Sequence, residues 1–276
     1  MFLSPVTANV GAVTKQFLLR AAFVLCLFNA ASQASQIGVY LSAPTNQSST
    51  VSFANGVTST TETFNSGNGR YSSYTSAIGT YTGNILIQAA DQYGGANGSN
   101  YMTFGAQNSS SSPVTLTLST AANYFGFWWS AGDANNGITL YSAGTKLVHL
   151  STADITSLLS GPKVTAINGQ QYNSSQYFCN PNNTSQDCGE PFAYVNLIAG
   201  AGVTFDTIVF DNSNTTGSGF ESDNHTVANG TAILPNTSVV VENLVTATPE
   251  PGSFTLLTCG LALLAWGITR RKALQQ

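Results

Sequence analysis

The stretch YFGFWWSAGDANNGITLYSAGTKLV, residues 124–148, decides the fold class. Tyr124 to Trp129 is an aromatic run of strong strand formers. Ala131 to Gly137 is rich in Gly, Asn and Asp, the residues that make turns. Ile138 to Tyr141 and Lys146 to Leu150 are again strand-like, separated by a short loop containing Ser-Ala-Gly. The order strand, turn, strand, loop, strand predicts a three-stranded meander. Trp128 and Trp129 are adjacent, so in a strand they face opposite sides and at least one belongs to a core.

Ser151 to Leu159 is the one good helix candidate. Ser151 with Asp154 three residues on suggests a capping box, and Gly161-Pro162 stops the helix. Upstream, Val57 to Phe64, Asn84 to Ala89 and Tyr101 to Gly105 read as strands. In Val114 to Leu118 the residues Val114, Leu116 and Leu118 share one face, the period-two mark of a half-buried strand. Gly67 to Gly79 reads as irregular, and DQYGGANGSN, residues 91–100, as a glycine-rich loop. Downstream, Phe192 to Leu197, Val203 to Phe210, Phe220 to Val227 and Val239 to Val245 are strand-like. Many short strands between Gly/Asn turns, with no fixed-period repeat, predict an all-β fold: an antiparallel β-sandwich, jelly-roll-like, with one short helix.

Both ends differ from this body. Lys15 and Arg20 precede a short apolar run, Ala21 to Phe28, and Ser32-Gln33-Ala34 offers the small residues of a signal-peptidase site, so residues 1–34 read as a signal peptide cleaved after Ala34. A first transmembrane helix is the alternative, for which the segment is short. Residues 35–247 are then the ectodomain. Between Ser35 and Thr248 stand three basic residues, Arg70, Lys146 and Lys163, against eleven acids, a net charge of −8. Nucleic acid is excluded as a partner on this ground, because its phosphates demand a basic surface. The ectodomain holds two cysteines, Cys179 and Cys188, flanking the polar loop NPNNTSQD. In an oxidising compartment such an isolated pair predicts a disulfide, worth about 2–3 kcal/mol in the chain-entropy account.

The last segment, residues 248–276, reads TPEPGSFTLLTCGLALLAWGITRRKALQQ. Pro249, Glu250 and Pro251 come first, then an uncharged apolar run, then Arg270, Arg271 and Lys272. The run, about residues 253–269, is close to the ~20 residues that span a bilayer, and the cationic end belongs on the cytoplasmic side. This tail resembles the PEP-CTERM sorting signal of Gram-negative bacteria: a Pro-Glu-Pro motif, one membrane helix and an arginine-rich end. The resemblance implies export through the inner membrane, transient anchoring there, and processing by an exosortase. The body, on residues 124–148 and on AYVNLIAGAGVTFDTIVFDNSNTTGSGFESDNHTV, residues 193–227, is similar to a group of PEP-CTERM surface proteins. That similarity brings no catalytic residues with it.

The residues offer few other routes to chemistry. The histidines are His149, in a strand, and His225, beside Glu221 and Asp223 in ESDNHT. That cluster is the one candidate for a secreted hydrolase, although no nucleophile elbow, HExxH or paired CxxC accompanies it. Trp128 and Trp129 are candidates for stacking on a sugar ring. Asp133 and Asn135, with Glu221 and Asp223, offer hard oxygens to calcium, without the pattern of an EF-hand. Taken together the sequence predicts no catalytic residues and no certain cofactor. It predicts an exported protein of the envelope, cell surface or matrix, handled by signal peptidase and an exosortase and non-enzymatic in an exopolysaccharide-associated layer. A carbohydrate-binding module, calcium-dependent or not, is the alternative, and a hydrolase the lesser one.

Overall fold

The computed structural model describes residues 37–109, 112–183, 185–213 and 217–235. The signal peptide expected at 1–34, the strand expected at 239–245 and the sorting tail expected at 248–276 lie outside the described residues. Among the described residues no helix is long and apolar enough to cross a membrane.

The strands in chain order are β1 (Ile37–Leu41), β2 (Ser52–Phe53), β3 (Thr60–Glu62), β4 (Gly69–Thr75), β5 (Gly79–Gln88), β6 (Tyr101–Phe104), β7 (Val114–Ala122) and β8 (Tyr124–Ser130). They continue with β9 (Asn136–Ser142), β10 (Thr145–Ser151), β11 (Lys163–Thr165), β12 (Gln171–Asn173), β13 (Ala193–Ala199), β14 (Phe205–Asn212), β15 (Phe220–Ala228) and β16 (Ala232–Ile233). One short helix, α1 (Thr152–Leu158), follows β10. Its N-cap is the expected box: Ser151 Oγ accepts from the Asp154 amide, and the Asp154 carboxylate accepts from the Ser151 amide at 2.8 Å.

Twelve strands form one antiparallel sheet in the order β1-β13-β8-β15-β6-β5-β7-β14-β9-β10, with β3 added to β15 and β4 to β5. Strand β6 is the corner, pairing with β15 on one side and β5 on the other. The two halves lie face to face, because Phe125 and Phe127 of β8 pack on Phe210 of β14 with ring centroids 6.1 and 6.3 Å apart. The result is a sandwich-like fold over one main apolar core, to which α1 adds Ile155.

Two sequence expectations fail here for physical reasons. The 124–150 meander is not formed: β8 sits between β13 and β15, whereas β9 pairs with β14 and β10. The turn at 131–135 therefore carries the chain from one half of the sandwich to the other. A strand buried along its whole length, as β8 is, takes the centre of its half and needs partners on both edges. Gly67 to Gly79 is not irregular. It contains β4, which pairs with β5 and turns Tyr71 and Tyr74 toward the core while Arg70, Ser72 and Ser73 stay exposed. Gly126 explains the one gap in the aromatic run of β8. A Cβ there would stand 2.3 Å from the Tyr124 hydroxyl and 2.8 Å from the Tyr194 ring.

The central packing predicts large contrasts in stability. Phe210→Ala, at the point where Phe125, Phe127, Phe220 and His225 meet, should cost about 3–5 kcal/mol in urea unfolding. Ile233→Ala, on a side chain 59% exposed, should change it by less than about 0.5 kcal/mol.

Candidate functional site

Six consecutive polar residues of β15, Glu221 to Thr226, are all buried. Period-two alternation would put Glu221, Asp223 and His225 on one face. The structure does not. The register of β15 on β8 shifts between Asp223 and Thr226, and Asn224 adopts a left-handed conformation with φ 50°. This β-bulge turns His225 through to the inner face, while Glu221 and Asp223 stay on the outer one. The acid–histidine cluster read from the sequence is thereby split by the sheet.

On the inner side, His225 is fully buried among Phe64, Phe125, Phe127 and Phe210. Its Nδ1 meets the Tyr81 hydroxyl and its Nε2 the Ser222 hydroxyl, both at 2.9 Å. A neutral imidazole has one donor and one acceptor, and both are used. Burial in this apolar cage pushes its pKa down to about 3.

On the outer side, Asp223 accepts from the Ala96 amide at 2.9 Å, from Ser99 Oγ at 2.7 Å and from the Asn224 amide. Burial outweighs these donors and raises its carboxyl to about 7. The bonds hold the 89–100 loop onto the sheet. Asn180 and Asn182 of the disulfide loop add to them, donating to the carbonyls of Gln92 and Gly95 at 2.9 Å each. Gln47 accepts from the Asn97 amide, and its own amide donates to Asn182. Cys179 and Cys188 form the expected disulfide.

Glu221 lies further along the same face, opposite Ser130 of β8. It accepts from Thr103 Oγ1 at 3.1 Å, and burial, with Asp133 and Glu190 nearby, raises its carboxyl well above the usual range. Asp133, in the turn after β8, accepts from the Gly219 amide at 3.2 Å, with the Glu190 carboxyl nearby. Burial and the Asp133 charge push the Glu190 carboxyl up to about 7. A Cβ on Gly219 would meet Glu221 Oε1 at 2.1 Å, so a larger residue there would push that carboxyl aside.

The four calcium candidates therefore do not form one ligand set. Asp133 and Glu221 share a corner, but Asp223 is turned to Ala96 and Ser99, and Asn135 sits on an exposed turn bonded to Ser213. Among the described residues no group of three His, Cys, Asp or Glu side chains is placed to hold a metal ion. Trp128 and Trp129 are 1% and 3% exposed. Trp128 packs with Phe192 and Tyr194 beneath the two loops, and Trp129 stacks on Phe220 in the main core, so neither offers a free ring to a sugar. Sequence reasoning passed over Glu190 and Ser130. The signal was present in Glu190, an acid two residues beyond a closed disulfide loop, but only the fold brings it to Asp133.

Comparison with family models, with curated proteins and with solved structures returns no match to this chain.

These groups set an unusual pH dependence. The raised carboxyls of Asp223, Glu190 and Glu221 keep protons that the unfolded chain releases near pH 4, so stability falls as pH rises from about 4 through 7. His225 acts in the opposite sense, because the unfolded chain gains a proton below about 6.5 and the folded one does not until about 3. Three carboxyls outweigh one imidazole between pH 4.5 and 6.5. The melting temperature should therefore be highest near pH 4.5 and decline toward pH 7.5. Asp223→Asn should flatten that decline by about 1.4 kcal/mol per pH unit, one proton's worth.

Proposed function

We propose that this chain is an exported surface protein of a Gram-negative bacterium whose body is a non-enzymatic, jelly-roll-like display or adhesive module in an exopolysaccharide-associated layer. In this reading signal peptidase removes residues 1–34. The tail at 248–276 holds the protein in the inner membrane through the helix at about 253–269. An exosortase reads Pro249, Glu250 and Pro251 with Arg270 and Arg271. The delivered ectodomain then lies in the envelope, surface or matrix.

The observation that carries the non-enzymatic reading is the placement of the best chemical groups. His225 is enclosed by aromatic rings with both nitrogens paired, and the acids beside it in sequence lie across the sheet. A body stapled by a disulfide and by amide–carbonyl bonds, with little surface charge, suits a wet polysaccharide layer. One observation favours the carbohydrate-binding alternative with calcium: Asp133 and Glu221 do reach a common corner.

Deleting the exosortase of the native host should leave the protein in the inner membrane with its tail intact. Unchanged location and mass would refute the sorting. A glycan array with calorimetry on the delivered protein, with and without calcium, should give no saturable binding to a single defined glycan. Such binding would promote the carbohydrate-binding reading.

A further inference from the structure

Three strands at one end of the sheet, β14, β9 and β10, bring together polar groups that the sequence keeps far apart. β9 lies in the middle. Asp211 of β14 stands opposite Gly137, and His149 of β10 stands opposite Thr139. Ile138, Phe210 and Leu150 are in the core, so alternation turns Gly137, Thr139, His149 and Asp211 to the outer face. Gly137 does not have a positive φ, so its backbone does not call for glycine. What its missing side chain supplies is space. A Cβ there would stand 2.7 Å from His149 Cε1 and 3.1 Å from each Asp211 carboxylate oxygen. An imidazole and a carboxylate, from the strands on either side of β9, thus converge on one point above a glycine. Diagonal reach of this kind is open to long side chains on a sheet.

Both groups have unused ligating atoms. His149 Nδ1 is bonded to the Thr139 hydroxyl at 2.9 Å, and among the described residues its Nε2 has no hydrogen-bond partner. Thr139 is buried, so the ring is held by an ordered group. Burial pushes the Asp211 carboxyl up while the charges of His149 and Lys146 pull it down, and among the described residues it accepts no hydrogen bond. Asp211 and His149 are both partly open to solvent. We propose that His149 Nε2 and an Asp211 oxygen are the protein ligands of an open site for a divalent transition-metal ion of the zinc class, seated above Gly137. An imidazole nitrogen selects such ions over calcium and magnesium, which take oxygen ligands. The ion selects the tautomer in which Nδ1–H donates to Thr139 Oγ1, leaving the Nε2 lone pair for the metal. Metal-binding histidines are oriented in this way. Water fills the remaining positions on the exposed side. Lys146 is the cation that competes for Asp211. The site shares no residue with the calcium candidates and does not depend on the role proposed for the body.

The test is a titration of zinc chloride into the full chain, without a histidine tag, near pH 7.5, followed by calorimetry and by nitrogen-15 NMR of the imidazoles. The chain has two histidines, so caged His225 serves as reference and as a report that each variant is folded. One zinc per chain should bind, shifting the His149 Nε2 resonance and leaving His225 unmoved. Thr139→Val, which removes the group orienting the ring, should weaken binding about tenfold, and Thr139→Ser should restore it. Asp211→Asn and His149→Ala, which remove the ligands, should each weaken it further. Absence of saturable binding by the wild type would overturn the site, a result that needs no variant. So would a His149 resonance unmoved at saturating zinc, or wild-type affinity in a folded Asp211→Asn protein. Displacement of the zinc by an equal concentration of calcium would also overturn it.

Discussion

The need to give partners to six buried polar residues in a row, Glu221 to Thr226, governs this molecule. An unpaired polar group inside a protein costs about 1–3 kcal/mol, so a central strand of this composition is tolerable only if each side chain is met. The bulge at Asn224 is the solution. It sends His225 inward to Tyr81 and leaves Asp223 outward for Ala96 and Ser99. Asn224 reaches the Gln47 carbonyl at 2.7 Å, and Thr226 bonds to Tyr194 and Thr61. Loops that would otherwise be solvent-facing connections are thus recruited as walls of the interior.

That constraint explains why the outer face of the sheet is covered. The 89–100 loop closes over Asp223, and the disulfide loop closes over the first loop through Asn180 and Asn182. Trp128, Phe192 and Tyr194 are enclosed beneath them. The aromatic residues that looked suited to a sugar are buried by the same arrangement that satisfies the acids. At the Asp133 corner, too, amides make the join: Gly132 donates to the Pro191 carbonyl and Gly219 to the Asp133 carboxylate.

Much of the fold was legible in the sequence, because it follows from composition and period. The β-rich body, the capped helix after Ser151 and the disulfide all rest on local rules. Pairing did not follow from locality. The turn at 131–135 has hairpin chemistry, yet the strand before it is buried along its whole length and is drawn to the middle of its half, away from β9. The site was misjudged for a single reason. Strict alternation places Glu221, Asp223 and His225 together, and one left-handed Asn removes that relation. Asn is the residue that tolerates such a conformation, so the hint was in the chain, but only the pairing of β15 with β8 shows that it was used.

Everything above requires His225 to be an internal structural group, buried with both ring nitrogens paired. Nitrogen-15 NMR of the imidazole across a pH series tests this most directly. The ring should remain a single neutral tautomer, with both nitrogens hydrogen-bonded, from pH 8 down to at least pH 4. A titration midpoint near the ordinary value of 6.5, with fast exchange between tautomers, would show a histidine open to solvent and would contradict the account.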